Sequence, residues 1–242
     1  MLKCIERPPF RSAAIQTKEG KMNTSDKTLA DKLIEDKRIL RPAVPCDGEE
    51  ILGIYAYYVK NTAVSFEYDV PSLAEFTRRI EKTLEKYPYI VAVNGNEVVG
   101  YAYTGAFKER AAYDWAVETS IYVRQDMRSM GTGRKLYTAL ESLSRAQNIL
   151  NMNACIAYPA AEDEYLTDGS VKFHEKLGYR RAGRFAKCGY KFGRWYDMVW
   201  MEKLIGYHTP NPDEVIPFPR LGLKVMGECG LTLKNENEEG LA

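Results

Sequence analysis

The sequence predicts an α+β domain, a mixed sheet with helices on both sides. Three observations carry that expectation. Strand-like and helix-like apolar patterns interleave as strand, two helices, three strands, helix, strand, helix and two strands. Asn94-Gly95 between two apolar runs is a strong hairpin signal. Gly178 follows an amphipathic stretch at the place where a helix stops.

The elements follow in order. A short strand near 38–41 precedes Pro42. Asp47 with Glu50 three residues on has capping-box spacing, and Ile51, Ile54, Tyr55, Tyr58 and Val59 line one helical face behind it. Ser72 and Glu75 open a second helix striped by Leu73, Phe76, Ile80 and Leu84. Strands at 89–93 and 98–103 flank the Asn-Gly turn, and a third covers 115–123. A helix over 133–147 buries Leu136, Leu140 and Leu143. A strand at 153–158, a helix at 171–177 and strands at 179–188 and 196–203 complete the sheet.

The domain spans 38–205. Residues 1–37 form a polar N-terminal extension, either a solvated tail or one short helix carrying Leu29, Leu33 and Ile34. Residues 206–242 read as a Pro-rich segment and a polar tail.

Composition excludes several function classes. Of 242 residues, 45% are hydrophobic and the formal net charge is +1, so no charge excess draws the chain to nucleic acid or to an anionic membrane. No apolar run is long enough to span a bilayer. The N-terminus lacks the apolar core of a secretory signal. Cys4, Cys46, Cys155, Cys188 and Cys229 are widely spaced without a CxxC pair, which argues against a disulfide framework and a metal site. A reducing, cytoplasmic location follows. Cys155 and Cys188 fall in strands and read as buried packing residues.

The segment 115–136 carries the chemistry. It is a strand, then a loop with Arg128, Gly131 and Gly133 in R-x-x-G-x-G spacing, then a helix start. Such a loop turns main-chain N–H groups toward one anion, with the helix dipole behind it. Arg128, Arg134 and Lys135 add positive charge. The pattern alone also fits a plain tight turn. Neither a Walker A loop nor the Rossmann glycine triplet is present.

The chain resembles the GNAT superfamily of N-acetyltransferases, whose cofactor loop has this form after a strand. Ala112-Tyr113-Asp114-Trp115, Val117-Glu118, Tyr122-Val123, 136–140, 173–179 and Gly189-Tyr190-Lys191 resemble its phosphinothricin N-acetyltransferase branch, over about 39–203. The resemblance implies the GNAT fold with a mostly antiparallel sheet, acetyl-CoA as co-substrate without a metal, a small-molecule amine acceptor and a homodimer. It places the CoA pyrophosphate on the amides of Ser129, Met130, Gly131, Thr132, Gly133 and Arg134 beside Arg128, with Ser170 also at the cofactor. The pantetheine arm pairs with Ile121, Tyr122 and Val123. A bulge splays that strand and aims the Val123 amide at the thioester carbonyl, where transition-state charge develops.

The acceptor must lose a proton, because an ammonium has no lone pair. Glu118 lies within an apolar strand on the face of Tyr122, and burial raises a carboxyl pKa toward that of a general base. Without the motif it reads as a half-exposed strand carboxylate; the branch makes it the base. His174 stands where many relatives carry a thiolate-protonating tyrosine, and it is either that acid or a packing residue. His208 has no chemical role in this reading. Direct transfer, without an acetyl-cysteine, is the expectation.

The branch acetylates compounds such as phosphinothricin, methionine sulfone and methionine sulfoximine. Phe66, Arg110, Tyr113, Tyr190 and Trp195 are the expected lining residues; Lys191 reads as plain packing or a solvated side chain. Ala111 replaces a branch asparagine, and the 159–170 loop is longer, with Thr167 in place of another. These departures leave open a polyamine or antibiotic acceptor, or a non-catalytic CoA-binding module.

Overall fold

The computed structural model describes residues 38–233. The extension 1–37, with the helix considered for it, and residues 234–242 lie outside the described residues. Strands β1 (Ile39–Pro42), β2 (Tyr89–Asn94), β3 (Glu97–Ala106), β4 (Ala116–Val123), β5 (Asn151–Tyr158), β6 (Arg180–Lys191) and β7 (Arg194–Leu204) form one sheet. Their spatial order is β1-β2-β3-β4-β5-β7-β6. Every pairing is antiparallel except β4 with β5, which is parallel.

Local chemistry explains most of the elements. Helix α2 (Leu73–Leu84) begins where the Ser72 hydroxyl accepts the Glu75 N–H. The β2–β3 turn places Gly95 at φ +61°, a conformation glycine adopts without penalty. The β6–β7 hairpin turns on Phe192 and Gly193, both at positive φ, which matches the twist of the flanking strands. Helix α4 (Gly169–Lys176) ends as expected at Gly178, φ +88°, whose N–H donates to the Glu175 carbonyl.

The capping box at Asp47 and Glu50 does not form. Asp47 is fully buried, receives both Arg41 guanidinium nitrogens at 2.6 and 2.7 Å and accepts the Val44 N–H. Glu50 instead accepts the Val98 N–H from β3. An Arg partner and an unpaired strand amide outcompete the cap because each gives a charge-assisted bond.

Helix α1 (Gly48–Asn61) and α2 cover β2, β3 and β4 on one face, closing a cluster around Ile51, Ile80, Tyr101 and Val91. Helix α3 (Thr132–Ala146) covers the other face through Leu136, Leu140 and Leu143, all fully buried. Each such side chain stabilises the fold by about 1.5–3 kcal/mol relative to exposure. On the α1–α2 face, no helix among the described residues covers β5, β7 and β6, so Phe185 is exposed there. Cys155 and Cys188 are likewise exposed rather than buried, because strand membership buries only a covered face.

The reading of 206–242 as a Pro-rich segment and polar tail also needs amendment. Phe218, Leu221, Met226 and Leu231 return to the core under α3, with helix α5 (Leu223–Glu228) among them. Gln147 fastens the segment, its Nε2 donating to the carbonyls of Lys86 and Ile216. No helix among the described residues is long and apolar enough to cross a membrane.

Candidate active site

The sheet opens between β4 and β5. Strand β5 pairs with β4 only from Ala116 to Glu118 and then stays with β7 up to Tyr158. Strand β4 keeps unbroken register with β3, Gly100 opposite Val123 through Ala106 opposite Val117. The opening therefore comes from the departure of β5 and not from the expected bulge in β4. Side chains hold its apex: the Thr119 hydroxyl donates to the Asn153 carbonyl, and the Asn153 amide donates to the Val117 carbonyl. Arg124 N–H bonds back to Val99, so alternation turns the amides of Ile121 and Val123 to the open side. The Val123 carbonyl accepts the Tyr58 hydroxyl at 2.6 Å. That tyrosine, read from sequence as one more residue of a helical stripe, borders the opening.

The loop after β4 has the form of an anion nest. Ser129 (φ 61°) and Gly131 (φ 84°) are left-handed, and α3 starts at Thr132. A non-glycine residue in that region costs about 1–2 kcal/mol, strain of the kind found at binding loops. The first amides of α3, at Thr132, Gly133 and Arg134, have no intrahelical acceptor. Ser129, Met130 and Gly131 are exposed beside the Arg128 and Arg134 side chains, and Arg38 donates to the Thr132 hydroxyl. This set fits a pyrophosphate. At Gly133 the space that a Cβ would take is bounded by the Phe173 ring at 3.2 Å, so this glycine serves helix packing as well.

Glu118 is half-buried on the face opposite α3, opposite Gly105 of β3 and Asn153 of β5. Desolvation raises its carboxyl pKa, and Lys108 pulls it part of the way back. Lys108 was not among the residues singled out from sequence; in the run Lys108-Glu109-Arg110 it looks like any solvated charge. Folding stacks its ammonium 5.1 Å from the Phe107 ring and 5.6 Å from the Trp200 ring. A cavity of about 770 Å³ next to it also takes in Tyr113, Ala116 and Asn153. The Cys155 thiol, near Glu118, is pushed up to about 12 by desolvation and by that carboxylate. Such a thiol is a poor nucleophile at neutral pH.

His174 is 2% exposed within an aromatic box of Tyr137, Phe173 and Tyr179. Its Nδ1 donates to the Ser170 carbonyl at 2.7 Å, so in the neutral ring Nε2 accepts the Tyr137 hydroxyl at 2.8 Å. Burial lowers its pKa against the effect of the Ser170 bond. The Tyr137 hydroxyl also lies 3.1 Å from the Thr119 hydroxyl at the apex of the opening. Ser170 meets His174 through its main chain.

The expected acceptor residues fall into two groups. Arg110 and Tyr113 lie on the exposed β3–β4 connection, Tyr113 at the cavity. The Tyr190 and Trp195 rings meet across the β6–β7 hairpin at 5.0 Å, tilted by 51°, and half-buried Phe66 packs near Tyr196. The cavity does not include this second group. Lys191, read as packing or solvated, is buried and hydrogen-bonded to main-chain carbonyls.

A splayed β4–β5 pair with a nest at the next helix suits an extended ligand that carries a diphosphate. Residues 40–200 match the acetyltransferase (GNAT) domain, and the chain belongs to this family of N-acetyltransferase enzymes. The phosphinothricin N-acetyltransferase of Streptomyces viridochromogenes is 34% identical over 173 residues, 72% of this chain and 90% of that one. The L-methionine sulfoximine/L-methionine sulfone acetyltransferase of Pseudomonas aeruginosa is 33% identical over 165 residues, 67% of this chain and 92% of that one. A solved GNAT phosphinothricin acetyltransferase from Sinorhizobium meliloti, in complex with acetyl-CoA, is similar with a TM-score of 0.68 and 34% identity. It covers 75% of this chain and 97% of its own.

Proposed function

We propose that this enzyme transfers the acetyl group of acetyl-CoA directly to the amine of a small amino-acid-like acceptor of the phosphinothricin or methionine sulfone type. The observation that carries the reading is Glu118, a carboxylate of raised pKa at the last β4 position paired with β5. The named activities of the relatives support the acceptor class.

In this mechanism Glu118 takes the ammonium proton. An α-amino group of pKa about 7.7–8.0 asks only for a modest base. The nitrogen lone pair attacks the thioester carbonyl, the C–N bond forms, the C–S bond breaks and thiolate leaves. The Val123 amide stabilises negative charge that develops on the carbonyl oxygen. The nitrogen's second proton leaves as the intermediate collapses and the thiolate takes one up: the Tyr137 hydroxyl, oriented by Nε2 of His174, gives its proton to the sulfur and takes the nitrogen's in exchange. Amides 129–134 with Arg128 hold the pyrophosphate, and Ile121 to Val123 the pantetheine. Arg110 and Tyr113 line the acceptor side near the cavity, with Phe66 on the same face of the sheet, whereas Tyr190 and Trp195 turn to the other face. The face of β5, β7 and β6 that no described helix covers, with Phe185 exposed on it, supports a homodimer that covers it; light scattering tests that assembly.

The deciding experiment follows CoA thiol release with phosphinothricin, methionine sulfone, methionine sulfoximine, spermidine and an aminoglycoside. Turnover on the first three, lost in Glu118→Gln, is the expected result. Turnover on spermidine or the aminoglycoside alone overturns the acceptor class while keeping the chemistry.

A further inference from the structure

One buried charge has no part in that mechanism. Lys191, the last residue of β6, is 2% exposed. Its ammonium donates to three main-chain carbonyls: Val59 at 2.8 Å, Thr62 at 3.0 Å and Ser65 at 2.6 Å. An ammonium has three donors, so the set is complete, and a buried charge is tolerable only when so satisfied. Desolvation still lowers its pKa, with Glu67 opposing.

The three acceptors belong to the last turn of α1 and the chain leaving it. Residues 62–68 contain no helix or strand, and ordering such a segment costs about 1–2 kcal/mol per residue. Its hold comes from elsewhere. The Tyr68 hydroxyl donates to the Tyr190 carbonyl at 2.5 Å, and Ala63 N–H donates to the Tyr165 carbonyl at 3.0 Å. Ser65 meets the Tyr55 hydroxyl at 2.8 Å. The Phe66 ring fills the space beside Gly189, where a Cβ would come within 2.3 Å of it. Arg79 pairs with Glu67 at 2.7 Å on the exposed side, while Lys191 is the buried charge of the set and joins the last turn of α1 to two points of the segment.

The segment lies on the catalytic face of the sheet. Its Ser65 bonds the Tyr55 hydroxyl at 2.8 Å, and the Tyr55 ring meets the Tyr122 ring of β4 edge-on at 5.2 Å. Both Tyr122 and Glu118 belong to β4 and, by alternation, share its face.

We infer that Lys191 is a positioning residue of the acceptor site, its ammonium latching residues 62–68 to β6 so that Phe66 stands as a wall beside the reacting amine. The inference rests on the proposed acetyl transfer to a small acceptor. A point charge with three rotatable donors suits three converging carbonyls, whereas the planar fork of arginine does not. The cofactor nest, on the α3 side, makes none of these contacts.

The test uses the full chain, acetyl-CoA and methionine sulfone, with Lys191→Met and Tyr68→Phe. Lys191→Met should raise the methionine sulfone KM about tenfold or more while the acetyl-CoA KM stays within about twofold. Hydrogen exchange should accelerate in 62–68 and stay unchanged in 125–134. Tyr68→Phe, which removes one exposed tie, should move the acceptor KM in the same direction by about threefold. Unchanged kinetics, or both KM values rising together, overturns the latch. If Lys191→Met does not fold, Tyr68→Phe decides: a raised acceptor KM supports the latch and an unchanged one overturns it. If the wild type does not turn over methionine sulfone, the proposed acceptor class fails; the latch is then read from exchange in Lys191→Met, where unchanged protection of 62–68 overturns it.

Discussion

The Tyr137 hydroxyl lies 2.8 Å from Nε2 of His174, while Nδ1 of that ring donates to the Ser170 carbonyl. The histidine is thereby fixed in one neutral tautomer, and a charged ring would face the tyrosine hydroxyl with a proton on both nitrogens. Because burial lowers its pKa, the unfolded chain binds a proton there at a higher pH than the folded one. Stability should hold above the unfolded value of about 6.5 and fall as pH drops through it, by at most about 1.4 kcal/mol per pH unit for one proton. Thermal unfolding of wild type and His174→Gln between neutral and mildly acidic pH checks this. The slope in that window should be shallower in the variant.

Glu118 must be ionised to accept a proton, so kcat/KM should fall as pH drops through its raised pKa. Glu118→Gln should reduce turnover by about 10²–10⁴-fold and leave acetyl-CoA binding intact. Lys108 holds that pKa down. Lys108→Met should therefore move the acidic limb of the pH profile to higher pH, a shift that a simple loss of acceptor affinity does not produce.

Gly131 has φ 84° at the N-terminus of α3. Gly131→Ala introduces a left-handed alanine costing about 1–2 kcal/mol. The expected outcome is a raised acetyl-CoA KM with the acceptor KM unchanged, read from initial rates with each substrate varied.

Phe218 is 3% exposed although it lies beyond the residues that match the family. Phe218→Ala should cost about 3–5 kcal/mol, the range for emptying a buried aromatic site. Urea unfolding measures it. A loss under 1 kcal/mol would mean that the segment packs too loosely to matter.

Local signals in the sequence were legible where local chemistry decides the outcome. Ser72 caps α2, Gly95 turns β2 into β3 and Gly178 stops α4 because each effect acts within a few residues. Asp47 had the right spacing for a cap but lost it to Arg41 and Val44. The pattern of 115–136 located the strand, loop and helix of the site. The opening itself was beyond it, since the parting of β5 from β4 depends on Thr119 reaching the Asn153 carbonyl across the sheet. Lys108 and Lys191 look alike in sequence and unlike solvated lysines only once folding sets one over aromatic rings and buries the other. The exposure of Cys155 was hidden for the same reason, because which sheet face stays bare depends on helix placement.

The Leu40 carbonyl of the edge strand β1 accepts the N–H of Thr232, at the far end of the described chain. Strand β1 and the segment after α5 thus meet on one sheet edge. A peptide linker between them would be short, so the chain order can be rearranged. A circular permutant joined there and reopened at the exposed Gly95–Asn96 turn should keep its fold, with β1 and the returning segment made as one continuous piece.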